Sequence, residues 1–167
     1  MSVEVVAEAG DWSALGDAEA AADSALAALC AELGLEAEDY EVALLLTDDA
    51  GVAALNDRFR GSSAPTNVLS WPALPLGPDR EGRPPPPPAR RTGAPPVALG
   101  DVALADGVVS REARARNLVL VDHATHLIMH GVLHCLGFDH DTDGQAAVME
   151  GIERRALARI GVADPYG

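Results

Sequence analysis

The chain contains no lysine: all 12 of its basic residues are arginine, against 26 Asp and Glu, for a formal net charge of −14. From Met1 to Asp57 there is no basic side chain of either kind, and all the positive charge falls from Arg58 onward. An acidic chain is a poor general binder of nucleic acid, because phosphate contacts supply most of that affinity. No DNA partner is expected, and any polyanion must meet the part that begins at Arg58. The acidic first part reads as a solvated surface. Cysteine is scarce too. Cys30 and Cys135 are the only two, and neither sits in a C-x-x-C pair, which excludes a disulfide framework. Cys135 points about 100° away from its neighbour His134 on a helix, so it reads as a packed small hydrophobe. No apolar run approaches the roughly 20 residues needed to cross a bilayer, so no membrane partner is expected. Met1 to Gly10 lacks both the basic start and the apolar core of a secretory leader, which predicts a cytoplasmic protein.

What is present suits a soluble domain. Of the 167 residues, 48% are hydrophobic and 23% charged, enough for one domain, 1–167, with a sizeable core. Val3 to Ala7 reads as a short strand, and Asp17 to Leu33 as an amphipathic helix stopped at Gly34. Tyr40 to Thr47 holds a compact apolar run suited to an interior strand. Asp48 or Asp49 can cap the next helix, which carries Val52, Leu55 and Phe59 on one side and ends near Arg60. Thr66 to Trp71 and Leu99 to Ala105 read as two strands that pair with each other. Between them, Ala73 to Pro96 holds most of the chain's 12 prolines and the arginines Arg80, Arg83, Arg90 and Arg91. Such a stretch forms no core element and reads as an exposed excursion whose arginines can meet RNA or an acidic partner. Helices follow at Gly107 to Arg116, Val121 to Leu136 and Gly144 to Ile160, the last capped by Asp143 with Val148, Ile152 and Leu157 inward. About four strands and five helices without regular strand–helix–strand alternation predict an α+β fold with a small mixed sheet.

The densest chemistry lies between His126 and His140. His130, His134 and His140 fall in the pattern H-x-x-x-H-x-x-G-x-x-H. Positions four apart share one face of a helix, so His130 and His134 can offer two imidazole nitrogens to one ion. Gly137 suits a left-handed helix end that brings His140 back toward the same point. Every side chain from Leu127 to Leu136 other than these two histidines is apolar or glycine, which marks a central buried helix. Buried imidazoles must be hydrogen-bonded or metal-bound. Satisfied core histidines would explain one of them better than three at this spacing. Three neutral imidazoles with an open fourth position describe a catalytic zinc site, with one Zn2+ per chain. His123 and His126 extend the stripe toward solvent and read as packing or cleft-lining residues. Asp139 can either fix the tautomer of a ligand histidine or brace the turn.

The same spacing occurs in metzincin proteases, where a glutamate after the first histidine serves as general base. Here that position is Gly131, which leaves a metallopeptidase as an alternative without its proton acceptor. The run from His130 to His140, His-Gly-Val-Leu-His-Cys-Leu-Gly-Phe-Asp-His, resembles the H-G-x-L-H-x-x-G-[YF]-D-H motif of the YbeY family of bacterial endoribonucleases. Asn56-Asp57-Arg58-Phe59-Arg60-Gly61 and Pro65-Thr66-Asn67-Val68-Leu69-Ser70-Trp71-Pro72 resemble that family's N-x-x-[YF]-R and P-T-[DN]-V-L-S-F-P block, with Trp71 in place of phenylalanine. Leu99-Gly100-Asp101-Val102 and Asp164-Pro165-Tyr166 match further along. The proline-rich excursion is longer than the family pattern requires. The resemblance implies a zinc-dependent, single-strand-biased endoribonuclease acting in 16S rRNA 3′-end maturation and ribosome quality control. It also implies RNA and a ribosome or ribosomal protein as partners, and Arg60 as a catalytic residue.

The residues suit phosphodiester cleavage. Zinc on three imidazoles acidifies a bound water to a pKa of about 7, or polarises a phosphoryl oxygen while the 2′-OH attacks. A planar, permanently charged arginine matches phosphate and the developing charge, which is the role open to Arg60. Thr66, Asn67 and Ser70 can bind phosphate or order their strand. A ribosome-docking protein with a structural zinc is the remaining alternative, and the acidic surface suits docking on a basic protein.

Overall fold

In the computed structural model, residues 1–78, 83 and 85–167 are described, Arg60 through its backbone alone. Strand β1 (Ser2–Ala7) leads through a short 3-10 turn to helix α1 (Ala18–Leu33). Strand β2 (Tyr40–Thr47), helix α2 (Asp49–Arg60) and strand β3 (Val68–Pro72) follow. Strand β4 (Val97–Ala105) then leads into helices α3 (Asp106–Ala115), α4 (Leu120–Cys135) and α5 (Asp143–Arg159). The ends are set by short polar residues and glycine. Asp17 accepts the Ala20 N–H at the start of α1, and Gly34 at φ 66° ends it. Asp48 accepts the Gly51 N–H at the start of α2, and Gly61 at φ 68° ends it. Helix α5 is opened by Thr142 rather than Asp143, because Thr142 and Gln145 form a reciprocal capping box.

The four strands make one mixed sheet in the order β1-β2-β4-β3. β1 and β4 run parallel to β2, and β3 runs antiparallel to β4. The expected pairing of the two later strands therefore holds, and the domain is α+β. The sequence shows no regular alternation, yet β1–α1–β2 is a parallel crossover. The β2 pattern of alternating buried and less buried residues shows why. One face is fully covered, whereas the other is covered only in part, so β2 is half-buried rather than apolar throughout.

On the covered face, Val42, Leu44, Leu46, Val102 and Leu104 meet Leu26, Leu29, Ile128, Val132, Leu133 and Leu157 of the helices. On the opposite face a small cluster of Val52, Leu69 and Ala105 seats α2. Phe59, expected with Val52 and Leu55 in the apolar stripe, is 55% exposed and packs edge-on against Trp71 with ring centroids 5.7 Å apart. The segment between β3 and β4 forms no regular element among its described residues. It is nonetheless tied down. Ala73 N–H donates to Leu99 O (2.8 Å), the Tyr40 hydroxyl donates to Pro88 O (3.0 Å), and Arg90 pairs with Asp39 (3.2 Å). The acidic partner of Arg90 is thus the chain's own first part. Arg80 lies outside the described residues.

Candidate metal centre

Helix α4 crosses the covered face where β4 and β3 meet. The crossing is close because residue 131 has no side chain. A Cβ there would lie 2.7 Å from Val102 Cγ1 and 3.4 Å from Val68 Cγ2. Beside this crossing and one turn apart from each other, His130 and His134 are the only α4 residues between His123 and Cys135 that escape full burial. After the helix, Gly137 at φ 88° reverses the chain, as the sequence predicts, and carries the exposed His140 back to them. A Cβ on Gly137 would sit 2.5 Å from Leu76 Cβ, so glycine is required there for space as well as for conformation.

The three histidines converge. Ring centroids are 4.7 Å apart for His130 and His134, 5.0 Å for His134 and His140, and 5.3 Å for His130 and His140. One nitrogen from each lies within 4.8 Å of the others. The protonation pattern follows from the partners of the remaining nitrogens. His134 Nδ1 faces the carbonyl of Phe138 at 3.0 Å, and a carbonyl only accepts, so Nδ1 carries the hydrogen. His130 Nδ1 lies 2.8 Å from Oε1 of Glu153 and donates to that carboxylate. In the neutral rings both Nε2 atoms are therefore bare, and they face each other at 3.1 Å. Two lone pairs at that distance call for a positive charge between them. Nitrogen donors about 2.0–2.1 Å from a tetrahedral zinc stand about 3.3 Å apart, so the donor set fits one ion. Burial, reinforced by any charge on His130 and His140, holds the His134 imidazole down at about 4, which keeps it neutral and ready to bind metal.

Glu153 is the residue that sequence reasoning missed. It has no exposed surface and sits on α5 among Met149, Ile152, Ala156 and Leu157. Burial pushes its carboxyl up, but hydrogen bonds from His126, His130 and Tyr166 outweigh that and hold it at about 2. A glutamate in register with an inward apolar stripe was the available signal. His126 also differs from expectation. It does not lead toward solvent but lies buried, with Nε2 3.3 Å from Glu153 Oε2. His123 is likewise buried, its Nε2 2.9 Å from Glu112 Oε2. Asp139 takes the second of its two expected roles, since Oδ1 accepts the His140 backbone N–H at 2.8 Å and braces the turn. Cys135 is buried with its thiol pushed up to about 12, in keeping with a packing role.

The triad lies on a cleft of about 550 Å³ whose other wall includes Thr66, Asn67, Ser70 and Leu76 to Pro78. The excursion after β3 is thus no remote insertion, because its first residues wall the cleft. Asn67 spends its amide on the fold: Nδ2 donates to Glu112 (3.0 and 3.2 Å) and Oδ1 accepts the Val68 N–H (2.7 Å). It orders the strand while lining the cleft. Asn56 does similar work on α2, donating to Ala64 O at 2.9 Å and holding the loop that joins Arg60 to Thr66. The backbone of Arg60 closes α2, and its side chain lies outside the described residues. Among the described cleft-lining residues there is no basic side chain other than histidine.

The chain matches known proteins over nearly its whole length. Residues 10–161 match the family model described as Endoribonuclease YbeY. A protein named Endoribonuclease YbeY from Dinoroseobacter shibae is 49% identical over 166 residues, covering 99% of this chain and 90% of the relative. Another with that name from Jannaschia sp. is 45% identical over 166 residues, covering 99% of this chain and all of the relative. In fold, the chain is similar to the solution structure of TM1509 from Thermotoga maritima, with a TM-score of 0.56 at 20% identity over 95% of this chain and 91% of that one. With its motifs in order and both relatives covered to 90% or more, this chain belongs to the YbeY endoribonuclease family.

Proposed function

We propose that residues 1–167 act as one zinc-dependent, single-strand-biased endoribonuclease domain in the cytoplasm, serving 16S rRNA 3′-end maturation and ribosome quality control. The observation that carries the metal reading is the pair of bare Nε2 atoms on His130 and His134, 3.1 Å apart, with the exposed His140 beside them. Their opposite nitrogens are committed to Glu153 and to the Phe138 carbonyl, which holds both rings in the metal-binding tautomer. A zinc ion on this triad supplies Lewis acidity toward a phosphoryl oxygen and an acidified water. The chain's own contribution is orientation. The cleft wall of Thr66, Asn67 and Ser70 aligns a strand of RNA across the triad, and Arg60 meets the scissile phosphate and its growing negative charge. The open cleft favours catalysis over a structural zinc, which would be closed by a fourth protein ligand.

The peptidase alternative loses ground on the same helix. Its general base would stand at residue 131, where even a Cβ would meet Val102 at 2.7 Å. A basic ribosomal protein as partner is supported by the partly covered sheet face. There Glu4, Glu41 and Asp101 surround a groove of about 500 Å³.

The test is incubation with single-stranded rRNA fragments and, separately, with casein, with and without zinc. RNA is cut only in the presence of metal, and casein survives. Cleavage of casein alone reverses the assignment. Arg60→Glu keeps one zinc per chain and loses RNA cleavage; retained cleavage removes Arg60 from the mechanism.

A further inference from the structure

The end of the chain carries Asp164-Pro165-Tyr166, a motif that metal binding and RNA cleavage leave without a role. It is anchored from three directions. Arg116, just past α3, donates to the carbonyl of the buried Pro165. Asp164 Oδ1 accepts the Tyr166 N–H at 2.8 Å and Arg154 Nε at 3.3 Å. The Arg154 guanidinium in turn lies over the Tyr166 ring, 4.9 Å from its centroid. Held this way, the Tyr166 hydroxyl donates to Oε2 of Glu153, while the other oxygen of that carboxylate accepts from His130 Nδ1 at 2.8 Å. His126 stands edge-on to the Tyr166 ring, with Nε2 3.3 Å from both the hydroxyl and Glu153.

We infer that Tyr166 is a positioning residue for the metal centre: the C-terminal turn presents its hydroxyl to Glu153 and so fixes the tautomer and angle of His130. This rests on reading His130, His134 and His140 as metal ligands. A buried carboxylate with two histidine donors on its sides and no further restraint can rotate about its last bond. A phenol on Oε2 leaves Oε1 as the acceptor for His130, which keeps His130 Nε2 bare and aimed at His134. The arrangement gives a role to the packing of a residue 36 positions after His130 against the same carboxylate. It also gives Tyr166 a second contact with the site, since its ring lines a cavity of about 320 Å³ together with His130 and His140.

The experiment compares wild type with Tyr166→Phe, which removes one oxygen and keeps the ring. Zinc affinity, measured by chelator competition, falls roughly threefold to tenfold, below the roughly 10–100-fold expected for Glu153→Gln. The visible spectrum of the cobalt-loaded protein shifts with it. In the metal-free protein, long-range nitrogen NMR finds His130 as a single Nδ1–H tautomer in wild type and as a mixture in Tyr166→Phe. A role confined to packing would alter melting and leave the tautomer and the cobalt bands alone. Arg116→Met, which frees the Pro165 carbonyl, gives the same changes at about twofold, and serves if the phenylalanine variant folds poorly. Wild-type zinc affinity and an unmixed His130 tautomer in both variants overturn the inference. If wild type itself takes up no zinc, the triad reading fails, and the tautomer comparison still decides the role of Tyr166.

Discussion

Helix α4 carries four histidines on nearly one stripe, and its two halves put them to different use. In the first half, His123 and His126 are buried, and each turns Nε2 to a carboxylate, Glu112 or Glu153. In the second half, His130 and His134 turn Nδ1 to an acceptor and leave Nε2 facing an open cleft. Residue type, helix and spacing are shared. The difference lies in which ring nitrogen is committed and in whether the free one meets protein or cleft. Spacing alone nominates histidines for a metal; the partner of the opposite nitrogen selects among them.

The largest effect comes from breaking the second half. His134→Ala removes one of the two facing nitrogens and leaves His130 and His140 without their shared partner. Zinc affinity then falls by more than the roughly 10–100-fold typical of losing an outer hydrogen-bond partner, and RNA cleavage goes with it. Metal analysis after gel filtration, alongside a cleavage assay, checks both. One zinc per chain in the variant would show that the second half is not the metal site.

Gly131 lies between His130 and His134, where α4 crosses β4 most closely. Gly131→Ala adds a Cβ 2.7 Å from Val102 Cγ1. Overpacking of this kind costs about 1–3 kcal/mol, offset in part by the roughly 1 kcal/mol by which alanine favours a helix. A net loss of up to about 2 kcal/mol is expected in urea unfolding, with weaker zinc binding as α4 lifts from β4. Unchanged stability would mean the crossing has slack.

Acid reaches His134, in the second half, and Glu153, which bonds to a histidine of each half, at different pH. The His134 imidazole is held at about 4, below its ordinary 6.5, so the unfolded chain binds the extra proton first. The metal-free protein loses stability as pH falls from 6.5 to 4. Glu153 is held at about 2, below its ordinary 4.5, so its contribution is intact above pH 4.5 and is lost as pH falls toward 2. Urea unfolding of metal-free protein shows both windows. His134→Gln reduces the upper one, to which His123 also contributes because burial holds its imidazole below the ordinary value, and leaves the lower one in place; a loss confined below pH 4 in wild type would contradict the placement of His134.

The fold was legible where pattern and capping agreed. The α1 boundaries, the β2 run and the pairing of β3 with β4 follow from short apolar stretches bounded by Asp, Gly and Pro. The parallel crossovers were not legible, because a half-covered sheet writes alternation where a doubly covered one writes continuous apolar runs. At the site, the H-x-x-x-H spacing and Gly137 are local and could be read directly. Glu153 and Tyr166 reach His130 from 23 and 36 residues away, and only tertiary packing brings them there. The wall at Leu76 to Pro78 was hidden for another reason: proline-rich composition says what a segment cannot form and nothing about what it lies against.

The smallest effect is expected in the first half, and it tests the comparison from its quiet side. His123 has Nε2 on Glu112 and a buried Nδ1 with no partner among the described residues. It lines a cavity of about 30 Å³ beside Leu118 and Val162. His123→Phe removes the unpaired nitrogen, and the small cavity takes up part of the added ring. Glu112, with 36% of its side chain exposed, turns to water and keeps Asn67. Removing an unpaired buried polar atom and a partly exposed hydrogen bond act in opposite directions, each worth about 1 kcal/mol. Stability should change by less than about 1 kcal/mol, and zinc affinity by less than about twofold, since among the described residues His123 bonds to Glu112 whereas His130 bonds to Glu153. A large loss of zinc on this substitution would mean that the two halves of α4 act as one unit, and that the division drawn between them is false.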